Sequence, residues 1–178
     1  MDEMRREFPS FRIVPKRGDA LSRLIDAALR IVTLGGQRHY LTRYHTVIGD
    51  TLYVPETWAK LADLERVILL RHERVHLRQR RRYGGLLMTF LYLIPFLPLG
   101  LAYGRARIEW EAYTETLRAT AELCGPAALD DRELRDQIVR RFTGPDYGWM
   151  WPFRSTVEAW YDQVVRELQM EPRALEGA

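Results

Sequence analysis

A chain of 178 residues, 47% of them hydrophobic, is long enough to bury one ordinary core and short for two, so a single domain over 1–178 is expected. The net charge of +3 comes from 25 Arg and 2 Lys against 24 acids, a mixed surface rather than a strongly basic one, and no nucleic-acid partner is expected. The lone Cys124 excludes an internal disulfide and a cysteine-based zinc cluster, and reads as a buried structural thiol.

The N-terminal stretch MDEMRREFPSFRIVPKRGD has neither the apolar run nor the small-residue cleavage site of a secretory signal, so the expected address is cytoplasmic, at most membrane-associated. From Asp19 to Val32, DALSRLIDAALRIV reads as an amphipathic helix with Leu21, Leu24, Ile25, Ala28 and Ile31 or Val32 on one stripe, ended by Gly35-Gly36. From His45 to Val54, β-branched and aromatic residues flank Gly49-Asp50, which predicts a small hairpin closed by Pro55. His39 and His45 read as ordinary strand or loop residues.

Helical period returns from Thr57 to Tyr83, with Leu64, Ile68, His72, Val75, His76 and Gln79 on neighbouring ridges. Gly84-Gly85 stop this helix, and Arg78, Arg80, Arg81 and Arg82 complement the negative end of its dipole. Inside it lies His72-Glu73-Arg74-Val75-His76, an HExxH pattern. Residues i and i+4 share a helix face, so both histidines can turn a ring nitrogen to one ion with Glu73 beside them, while Arg71 and Arg74 project to solvent or acidic headgroups. Zinc takes tetrahedral nitrogen, sulfur or carboxylate ligands, and a catalytic site keeps one position for water, so one further protein ligand is required. The alternative is a charged helix whose histidines fall four apart by chance.

Residues 86–103, LLMTFLYLIPFLPLGLAY, carry no charge. Pro95, Pro98 and Gly100 break the run into halves too short for the roughly 20 residues of a membrane span. An apolar hairpin insertion is expected, either dipping into a membrane surface between Arg80 to Arg82 and Arg105 and Arg107, or folded against other helices as core. A third helix runs from Arg105 to Leu123, ended by Cys124-Gly125-Pro126. Others run from Asp130 or Asp131 to Phe142 and from Ser155 to Leu168, the last capped by Ser155 with Glu158 at the capping-box position. The loop between them holds Tyr147, Trp149, Trp151 and Phe153, which read as the cap of a small core ahead of a wall for a peptide cleft. Residues after Glu171 read as a frayed tail.

Metzincins place Gly three residues after the second histidine and His or Asp three further on, but Gln79 and Arg82 stand there. The third helix offers Glu109, Glu111 and Glu115; Glu109 and Glu111 lie about 200° apart round the helix, so only one of them can face the site. Spacing does not choose among the three. His72-Glu73-Arg74-Val75-His76 followed by Glu109-Trp110-Glu111-Ala112-Tyr113 resembles the gluzincin arrangement HExxH…ExxxD, and is similar in particular to the CAAX-prenyl-protease and stress-induced membrane metallopeptidase group. The resemblance covers about residues 45 to 123 and implies an α+β, mainly α fold: a zincin-like helical domain with a small β-hairpin before the HExxH helix.

It also implies a zinc metallopeptidase acting on a protein or peptide substrate. Zn2+ would be held by His72, His76 and Glu109, with Glu73 as general base. Tyr113 stands where the family has an Asp that steadies a ligand histidine. The strand Thr51 to Val54 would be the edge on which extended substrate pairs. Tyr113, Tyr147, His45 and Tyr44 are candidate donors to the oxyanion. The rival reading is a non-catalytic zinc-binding or membrane-surface module on the same scaffold.

Overall fold

A computed structural model describes residues 2–32, 40–85, 87–88, 103–144, 150–151 and 153–175. They are mainly helical, as expected, with one small sheet of three strands where a two-stranded hairpin was expected, and they gather into two compact units, residues up to Leu77 and residues from Arg78. Gly35-Gly36, His39, Tyr147, Trp149 and residues 89–102, hence nearly all of the apolar run, lie outside the described residues. No described helix is long and apolar enough to cross a membrane.

The first unit contains α1 (Asp2–Glu7), β1 (Arg12–Pro15), α2 (Ala20–Val32), α3 (Tyr40–Arg43), β2 (Thr46–Ile48), β3 (Thr51–Val54) and the start of α4 (Asp63–Tyr83). The hairpin forms where it is expected: β2 and β3 pair antiparallel, Val47 opposite Leu52, about a turn in which Gly49 takes φ +63°, a value that suits glycine. The strand order is β1-β3-β2, with β1 parallel to β3 and Ile13 opposite Leu52. Thr51–Val54 is therefore the central strand, its hydrogen bonds taken on both sides, and the expectation that it forms a substrate edge is wrong; the edges are β1 and β2.

A four-residue strand ending in proline carries little local signal, and β1 exists because Phe8, Phe11, Leu52, Val54, Leu70 and Leu77 close one apolar cluster around it. A 3-10 turn at Glu56–Lys60 precedes α4, so that helix begins six residues later than its periodicity suggests.

The second unit contains the end of α4, then α5 (Tyr103–Cys124), a 3-10 turn at Pro126–Asp130, α6 (Arg132–Thr143) and α7 (Arg154–Leu175). Asp131 caps α6 by accepting from the Glu133 N–H at 2.8 Å. Ala106, Trp110 and Leu117 of α5 pack with Ile138, Val139 and Phe142 of α6 and with Val157, Tyr161, Val164 and Leu168 of α7. Trp151 lies against Trp110, ring centroids 6.3 Å apart, and its backbone N–H donates to the Phe142 carbonyl at 3.0 Å, so this aromatic does cap a core.

Three expectations fail here. Cys124 is exposed, because it ends α5 on the outer side of the turn. Ser155 lies inside α7, and Glu158 accepts from Arg154 Nε at 2.8 Å instead of completing a capping box. The last helix also continues to Leu175.

Leu117 is fully buried among these helices. Leu117→Ala is expected to lower stability by roughly 2–5 kcal/mol, read as a drop in the urea midpoint at unchanged slope.

Candidate metal centre

Helix α4 carries acids in its first turn, Asp63 and Glu65, and Arg80, Arg81 and Arg82 in its last, each sign matching the dipole. The buried residues of its middle are Leu70, Glu73, His76, Leu77 and Gln79. Leu70 and Leu77 belong to the apolar cluster of the first unit and set the rotation of the helix. Spacing of three and four then turns Glu73 and His76 inward with them. A buried stripe in which three of five side chains are polar costs free energy unless each polar group is satisfied.

The two histidines meet edge-on, ring centroids 4.9 Å apart, with Nε2 of His72 and Nε2 of His76 separated by 3.2 Å. Two imidazole nitrogens bound at about 2.05 Å to one tetrahedral ion stand about 3.3 Å apart, so the pair already has the spacing of two ligands on a shared metal. Glu109 of α5 completes the group: one ligand atom from each of His72, His76 and Glu109 lies within 4.8 Å of the others, with His76 and Glu109 buried and His72 half-buried. This is a buried group that could hold a metal ion, and its two nitrogens and one carboxylate are a donor set suited to zinc.

Of the glutamates that spacing left open, Glu109 is the one in the group. Glu111 is exposed and accepts a hydrogen bond from Gln79 Nε2 at 2.8 Å, and Glu115 pairs with Arg118 at 3.4 Å.

Gln79 is the residue that reasoning from sequence passed over. It is buried three positions beyond His76, and its amide donates both to the Ile108 carbonyl, at 3.0 Å, and to Glu111. The two acceptors lie on either side of Glu109, so one side chain of α4 fixes the rotation and height of α5 at the ligand. Its place on the same ridge as the histidines was the available signal.

Lys16 is the second such residue, one of only two lysines in a chain that otherwise uses arginine. Fully buried just beyond β1, its ammonium donates to the Tyr40 carbonyl and to Thr46 Oγ1, each at 2.9 Å, and sits 3.5 Å from the centre of the Tyr40 ring. Burial pulls its pKa down to about 8, against the attraction of the Glu73 and Asp26 carboxylates, which favours the charged form. The buried carboxylate of Glu73 thus has a buried cation in its field.

The other expected participants lie as follows. Arg74 does not project to solvent; it pairs with Glu3 at 3.1 Å and Glu7 at 3.8 Å, tying α1 to α4. Tyr113, one turn beyond Glu109, is half-buried with its ring 5.5 Å from that of Phe142. His45 meets Trp58 edge-on at 5.7 Å and is not part of the metal group, and Tyr44 is half-buried. Compared with known proteins, the chain matches no family model, no curated protein and no solved structure.

Two outcomes follow from this geometry. Gln79→Leu removes both donors and leaves two acceptors unpaired, and is expected to lower stability by roughly 1–3 kcal/mol, read as a drop in the urea midpoint. Between about pH 8 and the ordinary lysine value of 10.5, the unfolded chain still holds the Lys16 proton that the folded chain has released. The contribution of Lys16 to stability is therefore flat below pH 8 and rises through that window. Urea midpoints measured across it should climb in the wild type relative to Lys16→Met.

Proposed function

We propose that this protein is a zinc-dependent metallopeptidase of gluzincin type, with zinc held by His72, His76 and Glu109. The observation that carries this reading is the 3.2 Å approach of the two imidazole nitrogens beside the buried Glu109 carboxylate. Helical spacing alone explains why the histidines share a face. It does not explain why a buried glutamate from a separate helix joins them.

Zinc, when bound, supplies a Lewis acid that brings the pKa of a water molecule from 15.7 towards about 7 and polarises a carbonyl. The rest falls to side chains of this protein. Glu73, buried next to His72 in the chain, accepts the proton of the attacking water and returns it to the leaving amine, so that peptide hydrolysis proceeds without a covalent link to the enzyme. Lys16 holds a buried positive charge in the field of Glu73. Tyr113, braced by Phe142, is the candidate hydroxyl donor to the tetrahedral oxyanion. Because β3 is paired on both sides, an extended peptide would have to add to β1 or β2.

Purified protein is expected to carry close to one equivalent of zinc by atomic emission, and His72→Ala to lose it. Glu73→Gln should keep the metal and lower the hydrolysis of a peptide library by roughly 10²–10⁴-fold. Zinc retained by the wild type with no cleavage of any peptide would favour the non-catalytic module instead.

A further inference from the structure

Helix α2 is turned inside out. Leu21, Leu24, Ala28 and Ile31 fall on one helical stripe, which in a helix packed on a core faces inward. Here Leu24 is 68% exposed, Ile31 75% and Leu21 41%, while Ser22 and Asp26 on the opposite side are buried at 1% and 6% exposure. Two polar contacts lie within the helix itself. The Asp19 carboxylate caps the helix by accepting from the Ser22 N–H at 2.7 Å, and Asp26 accepts from Arg30 Nε at 2.7 Å. Asp26 also lies in the field of the buried Lys16 ammonium. Rotating α2 to bury its leucines would carry Asp26 away from that cation.

Size and charge identify what covers the stripe. Its three large side chains expose on the order of 300 Å² of apolar area, well below the roughly 800 Å² per partner of a stable protein interface. A second copy of the chain or a folded partner is therefore poorly served by it. The one acid of α2, Asp26, is buried and paired with the half-exposed Arg30, and the other cation, Arg23, is exposed. At about 1.5 Å per residue the helix is about 20 Å long, too short to cross an apolar layer of about 30 Å. An apolar stripe with only cations exposed beside it matches a surface that is apolar beneath and anionic on top.

We propose that α2 is a membrane-docking helix that lies in the headgroup layer of an anionic phospholipid bilayer, with Leu21, Leu24 and Ile31 against the acyl chains and Arg23 among the phosphates. The inference does not depend on the metal centre or on catalysis.

The test is co-sedimentation of the full chain with vesicles of phosphatidylcholine and phosphatidylserine mixed three to one, and with vesicles of phosphatidylcholine alone. The wild type should bind the mixed vesicles, and about tenfold or more weaker partitioning is expected both for phosphatidylcholine alone and for the double variant Leu24→Glu/Ile31→Glu on mixed vesicles. Both substituted positions are exposed, so the melting temperature of the double variant should match the wild type. The proposal is overturned if the wild type does not bind mixed vesicles or if the double variant binds them as the wild type does. It is overturned equally if the variant melts lower, which would mean that the rest of the chain covers the stripe. A variant that dissociates a self-associated wild type without changing vesicle binding would assign the stripe to a second copy.

Discussion

A helix that buries a stripe of residues must satisfy every polar group it takes out of water, and α4 buries three of them in sequence: Glu73, His76 and Gln79. Leu70 and Leu77 leave the helix no freedom to turn these side chains outward. The amide of Gln79 therefore finds its acceptors on α5, at Ile108 and Glu111, and those two bonds place the intervening Glu109. A buried hydrogen bond contributes only about 1 kcal/mol net, but an unmade one costs about 1–3 kcal/mol, so the register follows mostly from the penalty for leaving Gln79 unpaired. The metal group is in this sense a consequence of how α4 is buried.

The electrostatics of α4 extend the same logic. Glu73 is buried next in sequence to one histidine of the group, and the structure supplies a buried lysine in its field where an arginine would have been the habitual choice of this chain. Lysine has a compact ammonium that can sit over the Tyr40 ring and still reach two oxygens, which a planar guanidinium would do with different geometry. Asp26 shares that field, on the buried face of an α2 whose leucines point outward. One buried charge thus lies in the field of carboxylates from both α2 and α4.

How much of this was legible depended on whether the cause was local. The helices α2, α5 and α6, the C-terminal end of α4 and the hairpin at Gly49 are written in periodicity, caps and turn residues, and they appear close to their expected bounds. The pairing of β1 with β3 was not legible, because a parallel contact between Arg12–Pro15 and Thr51–Val54 depends on a shared core and on no local pattern. The histidine pair could be read from its spacing of four. The choice of Glu109 over Glu111 and Glu115 could not, since it depends on how α5 is rotated, and that rotation is set by Gln79. Lys16 was invisible for the same reason: only the tertiary fold shows that a lysine beside Pro15 is buried.

If His72, His76 and Glu109 share one zinc ion, as proposed, its shell can be read by X-ray absorption at the metal edge. Two imidazole nitrogens and oxygen donors at about 2.0–2.1 Å are expected, with one imidazole lost in His76→Ala and the carboxylate contribution lost in Glu109→Ala. A spectrum with sulfur in the shell, with fewer than two imidazoles, or unchanged by removal of Glu109 would contradict that proposal.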